Sequence, residues 1–375
     1  MEAFHCRHRP IHLAMRELQP NAYRKRPLRI VLLGFGPLAF SVLKGLLAGP
    51  ENATVVGVVA WSQVKDSEYN DEGDTAFLSL ARSKGLLLNG SLTELENEAW
   101  SANHPNFHDW VQQNAIDVVW VASWGQKLSG QTLALSTQPA GPVFLNTHPS
   151  LLPMHKGPNP YVAAIMACKS ESGVTFHLMD EDYDTGAVVF QSRVPILLSD
   201  SGGTLRDRIA EATETMIPKV LTALQTKVAQ PQQGKGSYES SIQLSDAAIR
   251  WESEASDAIV RRARAYTPWI TPYCVGIVKP FGMSVLLVFK AIISLPNHVG
   301  ASSLPVQGGK IEAVAQPHVI IQASDGVWLH CSLSYWYWGP WRLPRVLLPM
   351  LMPLVLPVGA LVHSGLTPKE DITSE

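Results

Sequence analysis

Cysteine is scarce in this chain, and what there is lies scattered. Four of the 375 residues are cysteines, Cys6, Cys168, Cys274 and Cys331, with no CxxC pair and no histidine at metal-ligand spacing. That pattern excludes a disulfide scaffold and a cysteine-based zinc site, and reads as a reduced, metal-free protein of the cytoplasm. Charge of either sign is not in excess. The 30 Lys and Arg and 32 Asp and Glu leave a net charge of −2, which argues against a surface built mainly to bind nucleic acid. The first thirty residues lack the apolar segment of a secretory signal, and no internal repeat is visible. A long apolar run occurs only late, from Leu343 to Val362, with Arg345 its sole charge. Pro344, Pro349, Pro353 and Pro357 interrupt it, and each removes a backbone donor and obstructs a helix interior. The run is therefore expected as an apolar tail packed on the body or on a partner, with membrane association as the second reading and a true span as the third.

A chain of this length is expected to form two domains. Residues 1–28 are basic (Arg7, Arg9, Arg16, Arg24, Lys25, Arg26) and read as a disordered extension, with Met15 an alternative start. The catalytic domain is expected over 29–229. Arg29 to Gly34 and Val55 to Trp61 read as strands, as do Asp117 to Ala122 and Val143 to Asn146. Helical spacing covers Phe35 to Leu47 and about Asp74 to Lys84. Strands alternating with helices predict an α/β fold with a doubly wound, mostly parallel, Rossmann-like sheet. Gly34-x-Gly36-x-x-Ala39 fits the dinucleotide fingerprint, but Val59-Ala60-Trp61-Ser62 supplies no acid for a ribose hydroxyl. The glycines are read as a tight strand-to-helix turn. Residues 230–245 read as a polar linker and 246–338 as a small second domain of short strands, an OB-like barrel. The tail occupies 339–375.

The segment from Asn146 to Pro160, NTHPSLLPMHKGPNP, follows the last of these strands. Asn146 and His148 are two apart and so share a strand face. Further on, MDEDYDTG carries Asp184 on a turn closed by Gly186. An amide, an imidazole and a carboxylate in one cleft suit acyl transfer to an amine, where an oxyanion forms and a proton must leave. Taken singly, each segment is as well explained by turn capping and a satisfied core histidine.

Together the two segments resemble the 10-formyltetrahydrofolate-dependent formyltransferase family. The likeness rests on Asn146-x-His148, Ser150-Leu151-Leu152-Pro153, Lys156-Gly157, the strand Gly173 to Asp180, and Asp182-Tyr183-Asp184-x-Gly186. Ile249-x-Trp251 with Arg264-Ala265 and Pro268-Trp269 extends it into the second domain, where it resembles methionyl-tRNA formyltransferases. The resemblance implies an N-formyltransferase. Asn146 would then stabilise the oxyanion, His148 polarise it or relay a proton, and Asp184 support His148 and accept the amine proton, with no metal. It also implies a folate pocket lined by Trp124, Gly125, Gln126, Lys127 and Leu128, by Met179, Asp180, Asp182 and Tyr183, and by Ser150, Leu152, Pro153, Lys156 and Gly157. Leu152-Pro153 is expected to be cis.

The acceptor is open at this point. The resemblance to methionyl-tRNA formyltransferases implies a basic insertion after the second strand. Here Val64 to Thr75 is acidic, with Asp66, Glu68, Asp71, Glu72 and Asp74 against Lys65, and would repel phosphates. Arg261, Arg262 and Arg264 could supply a modest basic face. A small-molecule or carrier-bound amine, such as an amino sugar, is placed ahead of methionyl-tRNA. A 10-formyltetrahydrofolate hydrolase and a non-catalytic folate-binding protein remain as alternatives.

Overall fold

The computed structural model describes residues 26–49, 51–60, 72–88, 102–226, 228–278, 283–295, 306, 308, 310–315, 318–338 and 341–343. The basic segment 1–25, the part of the acidic stretch carrying Asp66, Glu68 and Asp71, and the apolar run beyond Leu343 lie outside the described residues. Two compact units divide the chain. The first comprises 1–160, 171–195 and 206–239; the second comprises 161–170, 196–205 and 240–375.

The chain begins with β1 (Leu28–Gly34), α1 (Gly36–Leu47), β2 (Ala53–Ala60), α2 (Glu72–Ser83), α3 (Pro105–Gln113), β3 (Val118–Ala122), the single-turn α4 (Gly130–Leu133) and β4 (Val143–His148). Then come α5 (Pro160–Met166), β5 (Glu171–Leu178), β6 (Val188–Pro195) and the long α6 (Gly202–Thr226). The first unit is built on one six-stranded sheet in the order β2-β1-β3-β4-β5-β6. Its first four strands pair in parallel, while β5 and β6 join antiparallel. The parallel part follows from sequence: β3 is apolar and buried along its length, and so is β1 apart from half-buried Arg29 near its start, as strands covered on both faces must be.

The turn from β1 into α1 explains its glycines without a dinucleotide. A side chain at Gly34 would strike the Ala122 carbonyl of β3 and the Ala39 methyl of α1. Gly36 takes φ +70°, a left-handed conformation that glycine adopts without a steric penalty. Buried Leu38, Ala39, Val42, Leu43 and Leu46 then form the inner stripe of α1. At the opposite end of β3, buried Asp117 is neutralised by two hydrogen bonds from Arg26, at 2.6 and 2.8 Å, and one from the Arg29 amide. That satisfies a charge that would otherwise be costly to bury.

The second unit contains α7 (Ser256–Tyr266), β7 (Tyr273–Val278), β8 (Met283–Leu295), β9 (Ile311–Ala315), β10 (His318–Gln322), β11 (Trp328–Trp338) and β12 (Trp341–Leu343). Its sheet runs β7-β8-β11-β10-β9, with β12 pairing β11. Trp251, Phe289, Ile259, Leu287, Val319 and Leu329 are among the residues of its core. The three arginines read as a basic face are matched locally. Arg261 pairs with Asp257 and Arg262 with Glu254, and Arg264 donates to the Leu198 carbonyl.

Residues 230–239, within the stretch read as a linker, are held on the first unit by bridges from Gln230 to Val188 and from Tyr238 to Lys156. A polar, turn-rich segment finds its hydrogen bonds there with the start of β6 and with the loop at Lys156 rather than in a helix or strand of its own. Among the described residues, no helix is long and apolar enough to cross a membrane.

Candidate active site

The end of β4 and the start of the turn after β5 converge in the first unit. Antiparallel register sets His177 opposite Asn146 and Thr175 opposite His148. Asn146, His148, Thr175 and His177 therefore lie on one face of the sheet. The MDEDYDTG turn then brings Asp184 beside them. Its backbone sits at φ +56°, and the Gln232 side-chain amide grips it by donating to the carbonyls of Asp184, at 2.8 Å, and of Gly186, at 2.9 Å.

The Asp184 carboxylate is the centre of the cluster. Its Oδ2 accepts from the Gly157 amide at 2.9 Å and faces His148 Nδ1 at 3.4 Å. Its Oδ1 accepts from Asn146 Nδ2 at 3.2 Å and lies 3.4 Å from His177 Nε2. Burial pushes this carboxyl up, but His148, His177 and the Gly157 amide outweigh burial and hold its pKa down at about 2. It is a carboxylate at any physiological pH.

Hydrogen bonding fixes the protons on both imidazoles. His148 Nε2 lies 2.8 Å from the carbonyl oxygen of His155, which can only accept, so Nε2 carries the hydrogen. Nδ1 of neutral His148 is then a lone pair turned toward Asp184. Burial lowers the pKa of His148, against the pull of Asp184 and of the His155 carbonyl. His177 Nδ1 likewise donates to the Leu178 carbonyl at 2.8 Å, which leaves Nε2 to accept from Asn146 Nδ2 at 3.1 Å. Asn146 thus spends both amide hydrogens on His177 and Asp184, at the long end of the usual range. A developing oxyanion, a stronger acceptor, could draw them away.

His177 was not singled out from sequence. Its signal was there in the alternation of the strand, which puts Thr175 and His177 on one face between buried Val174 and Phe176. Its role depends on the pairing with Asn146, which the sequence does not state.

The segments expected around a pterin are arranged in two ways. Trp124 and Met179 pack against one hydrophobic cluster, of which Leu128 is a buried member. Lys127 Nζ stands 5.3 Å from the centre of the Tyr183 ring. Lys127, Leu128, Ser129, Gly130 and Glu181 line a cavity of about 360 Å³. Gly125 is exposed and Gln126 half-buried beside them, while Asp180 accepts from the Asp182 amide and the Thr185 hydroxyl and so shapes the turn. By contrast, Ser150, Leu152, Pro153 and Lys156 brace their own loop. Ser150 Oγ donates to the Met154 carbonyl, and Thr175 Oγ1 links the Ser150 carbonyl to the Leu152 amide. The Pro153 carbonyl accepts from the Ser237 amide, and Lys156 pairs with Ser237 and Glu239 through its backbone. The Leu152-Pro153 bond is cis.

Protonation of His148 has a direct effect on stability. Its folded pKa lies below the ordinary value near 6.5, so the unfolded chain takes up that proton first as pH falls. The contribution is present above about pH 6.5 and is lost on acidification. Between about pH 7 and about pH 5, the urea midpoint of the wild type is expected to drop more steeply than that of His148→Gln. Parallel pH dependences would show that folding leaves the proton affinity of His148 unchanged.

A family model described as Formyl transferase matches residues 28–221. A methionyl-tRNA formyltransferase of Acidiphilium cryptum is 37% identical over 154 residues, 41% of this chain and 49% of that protein. The chain spans about half the length of the curated relatives it matches. Among solved structures, HypX from Aquifex aeolicus in complex with tetrahydrofolic acid has a TM-score of 0.57 at 16% identity, covering 88% of this chain and 48% of that one. WlaRD, a sugar 3N-formyl transferase, has a TM-score of 0.53 at 17% identity, covering 82% of this chain and 98% of that one. At such identities the two structures share the fold.

Proposed function

From a chain that belongs to the formyl transferase family, we propose an enzyme that moves a formyl group from 10-formyltetrahydrofolate to the primary amine of a small or carrier-bound molecule, such as an amino sugar or a biosynthetic intermediate. The observation that carries this reading is the Asp184 carboxylate, buried and ionised, between Asn146, His148 and His177.

The donor supplies a formyl carbon already activated by its N10 substituent. The acceptor amine adds to that carbon, and the oxygen takes up negative charge. Asn146 donates an amide hydrogen to it, and one well-placed donor of this kind is worth ~3–4 kcal/mol at the transition state. Nδ1 of His148 accepts the amine proton, and Asp184 stabilises the imidazolium so formed. The one ring hydrogen of neutral His148 is committed to the His155 carbonyl, which leaves none to donate to the oxyanion and supports a relay over direct polarisation. The carbon–N10 bond then breaks, and N10 regains the proton, giving the formamide and tetrahydrofolate. Trp124, Met179, Lys127 and Tyr183 are proposed to hold the pterin end, supported by the packing of Trp124 and Met179 on the cluster that includes Leu128, by Lys127 lining the cavity with Leu128, and by Tyr183 lying against Lys127.

The second unit is proposed to be an OB-like barrel, for which the ten-residue β8–β11 ladder and its register shifts near Leu333 are the support. Bulges of this kind curl a sheet.

Methionyl-tRNA is the rival acceptor, because curated relatives bear that name. The acidic stretch 64–75 argues against it, as does the pairing of Arg261 and Arg262 with acidic neighbours. Release of tetrahydrofolate from the donor, followed with charged tRNA, amino sugars and amino acids, tests the proposal. Formylation of methionyl-tRNA is expected to be negligible at physiological salt, and a small amine should show a shallow salt dependence. Efficient tRNA formylation with a steep salt slope would overturn the small-amine reading. Release without any amine would identify a hydrolase, and no release at all a binding protein.

A further inference from the structure

A second histidine–carboxylate pair stands directly behind the first. His155 is buried, 8% exposed, and its Nδ1 lies 2.9 Å from Oε1 of Glu239. The same Glu239 oxygen accepts from Ser237 Oγ at 3.0 Å, and Ser237 Oγ in turn accepts from the His155 backbone amide at 2.8 Å. The His155 residue is thus held at both its ring and its main chain by a short strap, Ser237 to Glu239.

This grip has an evident need. His155 takes φ +56°, a left-handed conformation that is unfavourable for a residue with a Cβ. That conformation is what turns its carbonyl toward His148 Nε2. The strap also runs very close to the loop: a Cβ on Gly157 would meet the Glu239 carbonyl oxygen. Backbone bonds Lys156 N to Ser237 O, at 3.0 Å, and Glu239 N to Lys156 O, at 2.8 Å, complete the hold. Without the carboxylate, the His155 ring would lose its partner while its other nitrogen, Nε2, is already buried with none among the described residues.

We propose that Glu239 is a positioning residue for the reaction: through His155 it keeps the hydrogen of His148 on Nε2, so that Nδ1 remains the proton acceptor opposite Asp184. The inference rests on the formyl-transfer reading for its catalytic consequence, but not for its structural one. Neutral imidazole interconverts between two tautomers, and the hydrogen bond made by one nitrogen decides which is populated. If the His155 carbonyl swings away, the hydrogen can move to Nδ1 and donate to Asp184. The proton acceptor is then already occupied.

The test uses the full chain labelled with ¹⁵N at histidine. In the wild type the His148 signals should report the Nε2–H form. In Glu239→Ala they should shift toward the Nδ1–H form, and kcat should fall roughly tenfold with KM for the folate donor within about twofold. Glu239→Gln retains an acceptor oxygen for His155 and should restore both readouts. Ser237→Ala, a milder change, should shift the tautomer in the same direction and serves if Glu239→Ala does not fold. An unchanged His148 spectrum in the alanine variants overturns the proposal whatever happens to kcat, and so does failure of Glu239→Gln to restore it. If the wild type transfers formyl to no amine, the proposed function fails, while the spectra still decide the role of Glu239.

Discussion

Replacing Asp184 with asparagine is expected to lower formyl transfer by roughly three powers of ten while leaving the protein folded, within the range for loss of a positioned acid–base group. Asparagine tolerates the left-handed backbone that Asp184 adopts, and Gln232 grips main-chain carbonyls that the substitution leaves in place. What disappears is the charge. The carboxylate raises the proton affinity of His148 against the burial that lowers it. Without it, the imidazolium formed during the reaction loses its counter-charge and the His148 pKa falls further. The acidic limb of the pH–rate profile should therefore move to lower pH as turnover collapses. Steady-state rates across the acidic range give both readouts. A profile that keeps its shape, with turnover within about threefold, would assign Asp184 to the turn alone.

Asn146→Ala should be nearly as damaging, by two to three powers of ten in kcat, as loss of a single oxyanion donor is. Its signature should differ. The His148–Asp184 pair remains, so the pH–rate profile should keep its limb, and tetrahydrofolate should bind with little change. His177 Nε2 and Asp184 Oδ1 each lose a donor, and a water can enter the space left by the amide. Transfer persisting within about threefold, well under 1 kcal/mol of barrier, would sink the oxyanion assignment. Set side by side, the two variants separate stabilisation of charge on oxygen from removal of the proton.

The parts of this molecule that could be read from sequence are those with a local signature. β3 announces itself as a continuous apolar run, β1 as one after Arg29 and β4 as one up to Leu145, and α1 by its stripe from Leu38 to Leu46. Asn146 and His148 share a strand, so their common face follows from chain geometry. The rest depends on pairing between distant segments. His177 reads as one of several polar residues in its strand until the β4–β5 register is known. Gln232, Ser237 and Glu239 sit in a stretch of glycine, serine and glutamine that has no periodicity, and tertiary hydrogen bonds leave none. α6 is 25 residues long but carries Pro218, the residue that ordinarily argues for a break. The strand β7 follows two prolines, Pro268 and Pro272, and so was hidden among turn signals.

The antiparallel ladder between β4 and β5 also governs how such a chain can change in length. Four residue pairs, Leu145 with Leu178, Asn146 with His177, Thr147 with Phe176 and His148 with Thr175, act as its ruler. Residues gained or lost between Ala167 and Ser170, past the end of α5, fall outside that ruler and leave the pairs matched. A one-residue slip of β5 is different in kind. It would set Phe176 or Leu178 opposite Asn146, because each step along a strand reverses the face. Gaps are thus tolerable in the connection and forbidden in the ladder. Comparison of this chain with distant relatives is best anchored on those four pairs, with the intervening loop left free to vary.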